Sequence, residues 1–497
     1  MSQQEKPAKI SKLLRIKAQE FLSNLNRPQC LEEIVQHFHS GSDTLACLLT
    51  LEMVFCNVLK DKVMHLEYVP FKSIDNTNFH YKEWLRNVYE NCFTKIVECI
   101  GQESQKIQLQ GLSSAMNILS YEGKYPLDNK SNLESYVPLH KLRAVLMEII
   151  SSRQNKTNMI NKYTEYLMYD DILFFTWKVL PFLTAKCNPK EVYMVNYLLL
   201  LEKMQTSRNI EAQILCGTDA GAFFNFDEAV IKKSLNKIWH CVMLWEHTPQ
   251  THKQLLIILL EKALPHLEKP LLLTDFFMDS LDVGGPVSLL ALQGIFTMIQ
   301  VHNLDYPNIF AKLYSMFEPE IFHTKYKARL FYLSDLFLSS THLPETLVAA
   351  FAKRLARLAL VAPSEDVIII CHFVGNLILR HPGLKCLLNN ANSGMSNEDP
   401  YIMEERDPLK SNAISSSLWE LQTLQQHCQP SVATAARFIN APLPSVEWDL
   451  GQILDNTGDD IFDKEVKKFS KLIVLQFEKP NGGALSRGEK VLQFWDL

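Results

Sequence analysis

Ile321 to Val361 reads Ile-Phe-His-Thr-Lys-Tyr-Lys-Ala-Arg-Leu-Phe-Tyr-Leu-Ser-Asp-Leu-Phe-Leu-Ser-Ser-Thr-His-Leu-Pro, then Glu-Thr-Leu-Val-Ala-Ala-Phe-Ala-Lys-Arg-Leu-Ala-Arg-Leu-Ala-Leu-Val. Its spacing predicts two amphipathic helices joined by a turn at 339–344. Pro344 suits the start of the second helix, where a missing backbone N–H costs nothing. Leu347, Phe351, Leu355 and Leu358 recur at three- and four-residue steps and make one apolar stripe. Lys353, Arg354 and Arg357 gather on another face. Lys325, Lys327 and Arg329 add cations to the first helix. These six are the candidate contacts to a protein partner or to RNA, against the plainer reading of an ordinary solvated helix face.

The same texture runs through the chain. Helical periodicity returns in Leu31–Phe38, Leu45–Leu59, Gln108–Ser120, Leu142–Ile150, Val192–Met204, Glu228–Leu244, Gln254–Leu264 and Ser364–Leu379. The connectors are short and no convincing strand breaks the pattern. Glycine is scarce, 17 in 497 residues, which disfavours the Gly-rich turns of β-sandwiches and dinucleotide folds. Helix hairpins without a strict sequence period point to an all-α fold, an α-solenoid of irregular HEAT- or armadillo-like hairpins. The organisation expected is a basic N-terminal segment over 1–27, a helical repeat region over 28–254, a second helical domain over 255–440 with a polar loop at 389–410, and a tail over 441–497.

Composition removes several function classes. The formal net charge of −5 argues against a globally basic nucleic-acid binder but leaves room for a local basic patch. The 11 cysteines are scattered, with no C-x-x-C pair, and Cys47, Cys56, Cys99 and Cys241 sit inside apolar segments. That suits reduced, buried thiols in a cytosolic or nuclear protein with no signal peptide. Val283 to Leu304 carries no formal charge and is long enough to span a bilayer. Its Pro286, Gln293, Gln300, His302 and Asn303 argue instead for a buried helix. Lys6, Lys9, Lys12, Arg15 and Lys17 are too openly spaced for a strong import signal.

Catalytic templates fail one by one. No G-x-G-x-x-G, G-x-S-x-G or H-E-x-x-H occurs. Gly483 to Lys490 resembles a phosphate loop, but Glu489 stands where the lysine is needed. His37 and His39 diverge on a helix, and no ligand set completes them. Asp170-Asp171 could suggest acid–base or metal chemistry. Adjacent helical positions do not face each other, and a cap or turn explains the pair better. No enzyme, cofactor or metal site is expected.

The strings Ala311-Lys-Leu-Tyr314, Phe322 to Phe331, Asp335-Leu-Phe-Leu-Ser-Ser340, His342-Leu-Pro344 and Ala349 to Ala359 together resemble the CCAAT-binding-factor domain family. The resemblance continues through Asp399-Pro-Tyr401, Glu405, Asp407-Pro408, Ser411 and Ser416-Ser-Leu-Trp-Glu-Leu-Gln422. Tyr81-Lys-Glu-Trp-Leu-Arg86 and Tyr166-Leu-Met-Tyr-Asp-Asp171 are similar to its nucleolar complex protein four branch. The resemblance covers about residues 80 to 440. It implies a non-enzymatic nucleolar scaffold of the small-subunit processome, needed for pre-rRNA processing and for maturation and export of the small ribosomal subunit. It further implies a stable partner, nucleolar protein fourteen, other processome components nearby, and direct pre-rRNA contact as an open point. DNA reading is not expected, because no groove-reading motif is present. The alternatives are a HEAT-type transport adaptor, and a nuclear-envelope protein using 283–304 as a membrane span.

Overall fold

Each helix of this chain forms because its apolar residues return every three or four positions and need a neighbour to cover them. The computed structural model describes residues 7–24, 28–41, 43–65, 76–127, 136–208, 213–217, 224–302, 306, 308–388 and 399–472. Among these, no strand forms; a single isolated bridge joins Tyr169 and Gln213. The phosphate-loop-like stretch Gly483 to Lys490, the apolar run 473–477 and the first half of the 389–410 loop lie outside the described residues. The fold is all-α, as expected. The contacts separate two compact units, Met1–His302 and Asn303–Leu497, so the units divide well after the 254/255 boundary read from sequence.

The first unit carries α1 (Pro7–Ser23), α2 (Pro28–Ser40), α3 (Thr44–Lys60), α4 (Asn76–Ile100), α5 (Gln105–Lys124), α6 (Leu139–Ile149), α7 (Thr157–Leu167), α8 (Asp170–Leu183), α9 (Glu191–Lys203), α10 (Glu228–Val242), α11 (Pro249–Ile258), α12 (Thr274–Asp282) and α13 (Gly285–His302). Their packing follows a rule of next-but-one neighbours. α1, α3, α5, α7, α9, α11 and α13 stack in one row, and α4, α6, α8 and α10 in a second. Two rows of stacked hairpins are the geometry of an α-solenoid. Pro265 interrupts the regular ladder: after α11 the chain makes a π turn at Leu259–Ala263 and a 3-10 turn at Leu264–His266.

The described part of 283–304, residues 283–302, resolves in favour of the core reading. α13 buries Leu289, Leu292, Ile295 and Met298 and packs against α11 and α12. Among the described residues no helix is long and apolar enough to cross a membrane, so the membrane-span alternative finds no support.

The second unit carries α14 (Ile309–Ser315), α15 (Lys327–Phe337), α16 (Glu345–Ala359), α17 (Ser364–Arg380), α18 (Trp419–Leu424), α19 (Pro430–Ala436), α20 (Leu450–Leu454) and α21 (Gly458–Leu472). Here one hairpin, α16–α17, is the hub. α16 touches α17, α18 and the 3-10 turns Pro382–Leu387, Pro408–Lys410 and Ala413–Ser415, while α17 touches α19, α20 and α21. The expected hairpin over 321–361 is therefore shifted. Its first helix starts only at Lys327, after a 3-10 turn at Pro319–His323, and the close partner of α16 is α17.

Candidate partner-binding surface and the charge cluster behind it

The apolar stripe of α16 packs as expected: Leu347, Phe351, Leu355 and Leu358 are all buried. Burying one such side chain stabilises by roughly 1.5–3 kcal/mol. The opposite side does not face solvent either. Ala349, Ala350, Ala352, Ala356 and Ala359 are buried too, and their small size lets neighbouring backbone approach from every side.

That burial corrects the reading of the basic face. Lys353 has 0% exposure. Its Nζ lies 2.9 Å from Asp399 Oδ2 and 2.7 Å from Glu420 Oε1, and donates to the Ser417 carbonyl at 2.6 Å. Arg357 bridges the same two carboxylates, at 2.7 Å from Asp399 and 2.8 Å from Glu420, with its guanidinium 4.8 Å from the centre of the Trp419 ring. Both charge contacts of Glu420 fall on Oε1. Arg354 donates to the carbonyls of Phe317 at 2.8 Å and Met403 at 3.0 Å and stacks on Tyr314, whose hydroxyl meets that of Tyr401 at 2.8 Å. A buried cation needs a counter-charge, and the chain supplies it from 42 to 67 residues away.

Asp399 is the pivot. Burial alone would raise its carboxyl, but hydrogen bonds from Ser416, Lys353 and Trp419 outweigh that and hold it far below the ordinary carboxylate range. Burial pushes Glu420 the other way, upward, against the pull of Lys353 and Arg357. Within the described half of the 389–410 loop, Tyr401 and Pro408 are buried and anchor it to the unit, while Glu404, Arg406 and Lys410 stay exposed.

Around the start of α15 the three candidate cations part company. Lys327 is half-buried, 2.7 Å from Glu365 and 2.9 Å from Asp366 at the start of α17. Lys325 and Arg329 stand at exposed positions. The six candidates therefore do not form one docking face. Lys353, Arg354, Arg357 and Lys327 tie the unit together, leaving two on the surface.

Residues beyond 441 also dock. The indole of Trp448 lies over Gly375 on α17, where an added Cβ would come within 2.5 Å of the ring. The Trp448 backbone exchanges two 2.9 Å hydrogen bonds with the Asn376 amide. Arg380 clamps Asp335 at 2.7 Å and Glu447 at 2.6 Å. The expected tail is an integral strap at least through α20.

In the first unit the Asp170–Asp171 pair sits at the start of α8. Asp171 accepts from the backbone N–H groups of Ile172, Leu215 and Cys216, and Asp170 pairs with Arg208 at 2.9 Å. The carboxylates anchor loop 213–217 as a turn device. A second buried pair escaped sequence reading: Lys141 lies 2.6 Å from Glu122, 2.8 Å from Glu90 and 3.7 Å from the Tyr89 ring centre, joining α4, α5 and α6. Nothing in local periodicity marks it. Cys47 and Cys99 are buried while Cys56 and Cys241 are half-buried, and burial pushes the Cys47 thiol up to about 11. Among the described residues no cluster of His, Cys, Asp and Glu could hold a metal ion.

Comparison with known proteins matches residues 288–436 to the CBF/Mak21 family and residues 2–187 to "Nucleolar complex protein 4-like, TPR repeats". The chain is an all-α helical-repeat protein with a CBF/Mak21 domain. Nucleolar complex protein 4 homolog B of Xenopus laevis is 36% identical over 470 residues, 90% of this chain and 89% of the relative. The Danio rerio homolog is 33% identical over 94% and 93%, and the Homo sapiens homolog 34% over 84% and 83%. The chain belongs to the nucleolar complex protein 4 family. Over residues 2–187 the repeats match the TPR description, in keeping with the α-solenoid of stacked hairpins expected from the sequence.

Proposed function

We propose that this protein acts in the nucleolus as a non-enzymatic ribosome-assembly factor. It is a scaffold of the small-subunit processome, needed for pre-rRNA processing and for maturation and export of the small subunit. Its stable partner is nucleolar protein fourteen. The observation that carries this reading is similarity to nucleolar complex proteins along 90% of the chain, through both units. The architecture is in keeping with it. A row of stacked hairpins offers a long surface on which partner chains can lie. The buried charge clusters, Lys141 with Glu122 and Glu90 in the first unit and Lys353 and Arg357 with Asp399 and Glu420 in the second, hold helices together, and neither of two recesses of about 330 and 340 Å³ is lined by a His or Cys.

The test is sedimentation of the tagged protein with affinity recovery of its partners, combined with depletion. The expected result is co-sedimentation with small-subunit precursors, recovery of nucleolar protein fourteen, and accumulation of unprocessed small-subunit pre-rRNA on depletion. Confinement to low-mass fractions with normal rRNA processing would overturn the proposal.

A further inference from the structure

We infer that the outward face of α6, α8 and α10 is a binding surface for single-stranded RNA. Each of these helices turns one side inward and leaves a stripe outside. On α6 the stripe holds Arg143, on α8 Lys178 and Phe182, and on α10 Lys233 and Lys237 with Lys232 beside them; all six are exposed. α6 packs beside α8 and α8 beside α10. At interaxial spacings of about 8–10 Å, the three stripes cover roughly 20 Å side by side.

The helices also run in register. Phe174 near the start of α8 meets Phe226, just before α10, at 5.9 Å. Beyond their far ends, Trp245 donates to the Ala185 carbonyl at 2.9 Å and Glu246 N–H to Asn188. α8 and α10 are therefore parallel, with Lys178 beside the middle of α10 and Phe182 toward its last turn. Leu235 and Trp239 of α10 face Leu201 and Ile258 inside the unit, which fixes the lysines outward.

None of the five cations makes an ion pair with a described acidic residue. Among the described residues the acidic groups of α6 and α10 lie toward their ends, and Glu90 of α4 lies beside His140 and Lys141 at the start of α6. Asp227 caps α10 by accepting from Ala229 N–H, Glu228 follows it, and Glu148 of α6 lies toward Arg153. Five uncompensated cations on one face of a chain whose net charge is −5 create a local positive field that attracts a polyanion. The ring of Phe182, 74% exposed among them, decides which polyanion. An unpaired base stacks on an exposed aromatic face while its phosphates take the lysines. The assembly-factor reading supplies the source of RNA; the binding itself does not depend on it.

The experiment uses the full chain and a fluorescein-labelled 20-nucleotide mixed-sequence RNA, followed by anisotropy between 50 and 200 mM salt. If five phosphates are neutralised, the log–log salt slope is about −3.5, a roughly 100-fold loss of affinity across that range. Lys178→Gln/Lys233→Gln/Lys237→Gln lowers the slope magnitude by about 2 and weakens binding at 50 mM at least about tenfold, while the matching Lys→Arg triple retains it. Phe182→Ala weakens binding about fivefold or more and leaves the slope unchanged. Melting curves of the variants match the parent. No RNA binding at 50 mM, or binding unmoved by the Lys→Gln triple, overturns the inference. So does equal binding of a labelled polyglutamate 20-mer with no effect of Phe182→Ala, which would assign the face to an acidic protein segment. A chain that binds RNA in this assay but stays off precursor particles sinks the assembly-factor reading alone; one that joins particles yet fails the assay sinks only the surface.

Discussion

Helices α10 and α16 carry nearly the same basic pattern and put it to opposite use. α10 has Lys232, Lys233 and Lys237; α16 has Lys353, Arg354 and Arg357. The first set is exposed and pairs with no described acidic residue, whereas in the second Lys353 is fully buried and all three are engaged within the unit. The difference lies in the rest of each helix. α10 is one-sided, with Ile231, Leu235, Ile238 and Val242 inward and polar residues outward. α16 fills its remaining positions with alanine, so it can be packed from all sides, and its cations must then find acids inside. Charge on a helix is a surface feature only if the other faces leave a surface.

The largest expected effect tests that contrast directly. Lys353→Ala leaves the buried Glu420 and the half-buried Asp399 beside one cation fewer, and breaking a buried pair from one side costs about 3–5 kcal/mol. Denaturant melts of the full chain should show a lowered midpoint for the second unit. A loss under about 0.5 kcal/mol would mean that α16 is as solvated as α10.

Next in size is the strap. Gly375→Ala places a Cβ against the Trp448 ring, and overpacking of this kind costs about 1–3 kcal/mol. Residues 441–457 should then become cleavable in limited proteolysis while the first unit keeps its protection. If the pattern is unchanged, Trp448 is not the pin that holds the strap.

How much of this could be read without coordinates depends on range. The helices were legible from periodicity, and the burial of Leu347, Phe351, Leu355 and Leu358 followed from their spacing. The row-on-row stacking was legible only as a class, since which helix lies next but one is set by contacts between distant segments. The fate of Lys353 was not legible, because its counter-ions come from Asp399 and Glu420. A signal was nevertheless there. The family-like strings Ala349–Ala359, Asp399-Pro-Tyr401 and Ser416–Gln422 are the separate parts of one buried cluster. A motif scattered over 70 residues with alternating basic and acidic pieces is a pairing pattern.

A smaller effect follows from pH. The folded state holds Asp399 below its ordinary carboxylate range. Its contribution is therefore complete above the unfolded value of about 3.9 and is lost as pH falls from there toward the depressed folded value. Asp399→Asn should be less stable than the parent at pH 7, by on the order of 1 kcal/mol, since part of the carboxylate is solvent-screened. The gap should narrow as the pH is lowered from about 4 toward the depressed folded value. Glu420 responds in the opposite sense, because its raised value makes protonation relieve burial, so acid weakens the cluster through Asp399 and not through Glu420. A gap that stays constant down to pH 3 would remove Asp399 from its place as pivot.

The smallest stability effect belongs to α10, and its smallness is what makes the comparison sharp. Lys232→Ala/Lys233→Ala/Lys237→Ala removes as many cations as α16 carries in its cluster. No carboxylate loses a partner, and alanine is the better helix former by a few tenths of a kcal/mol per site. Surface changes of this kind stay within about 0.5 kcal/mol each, so the melting curve of the first unit should not move downward. A clear loss of stability would show that these lysines hold the unit together as Lys353 does, and α10 would then have no charge to spare for a partner.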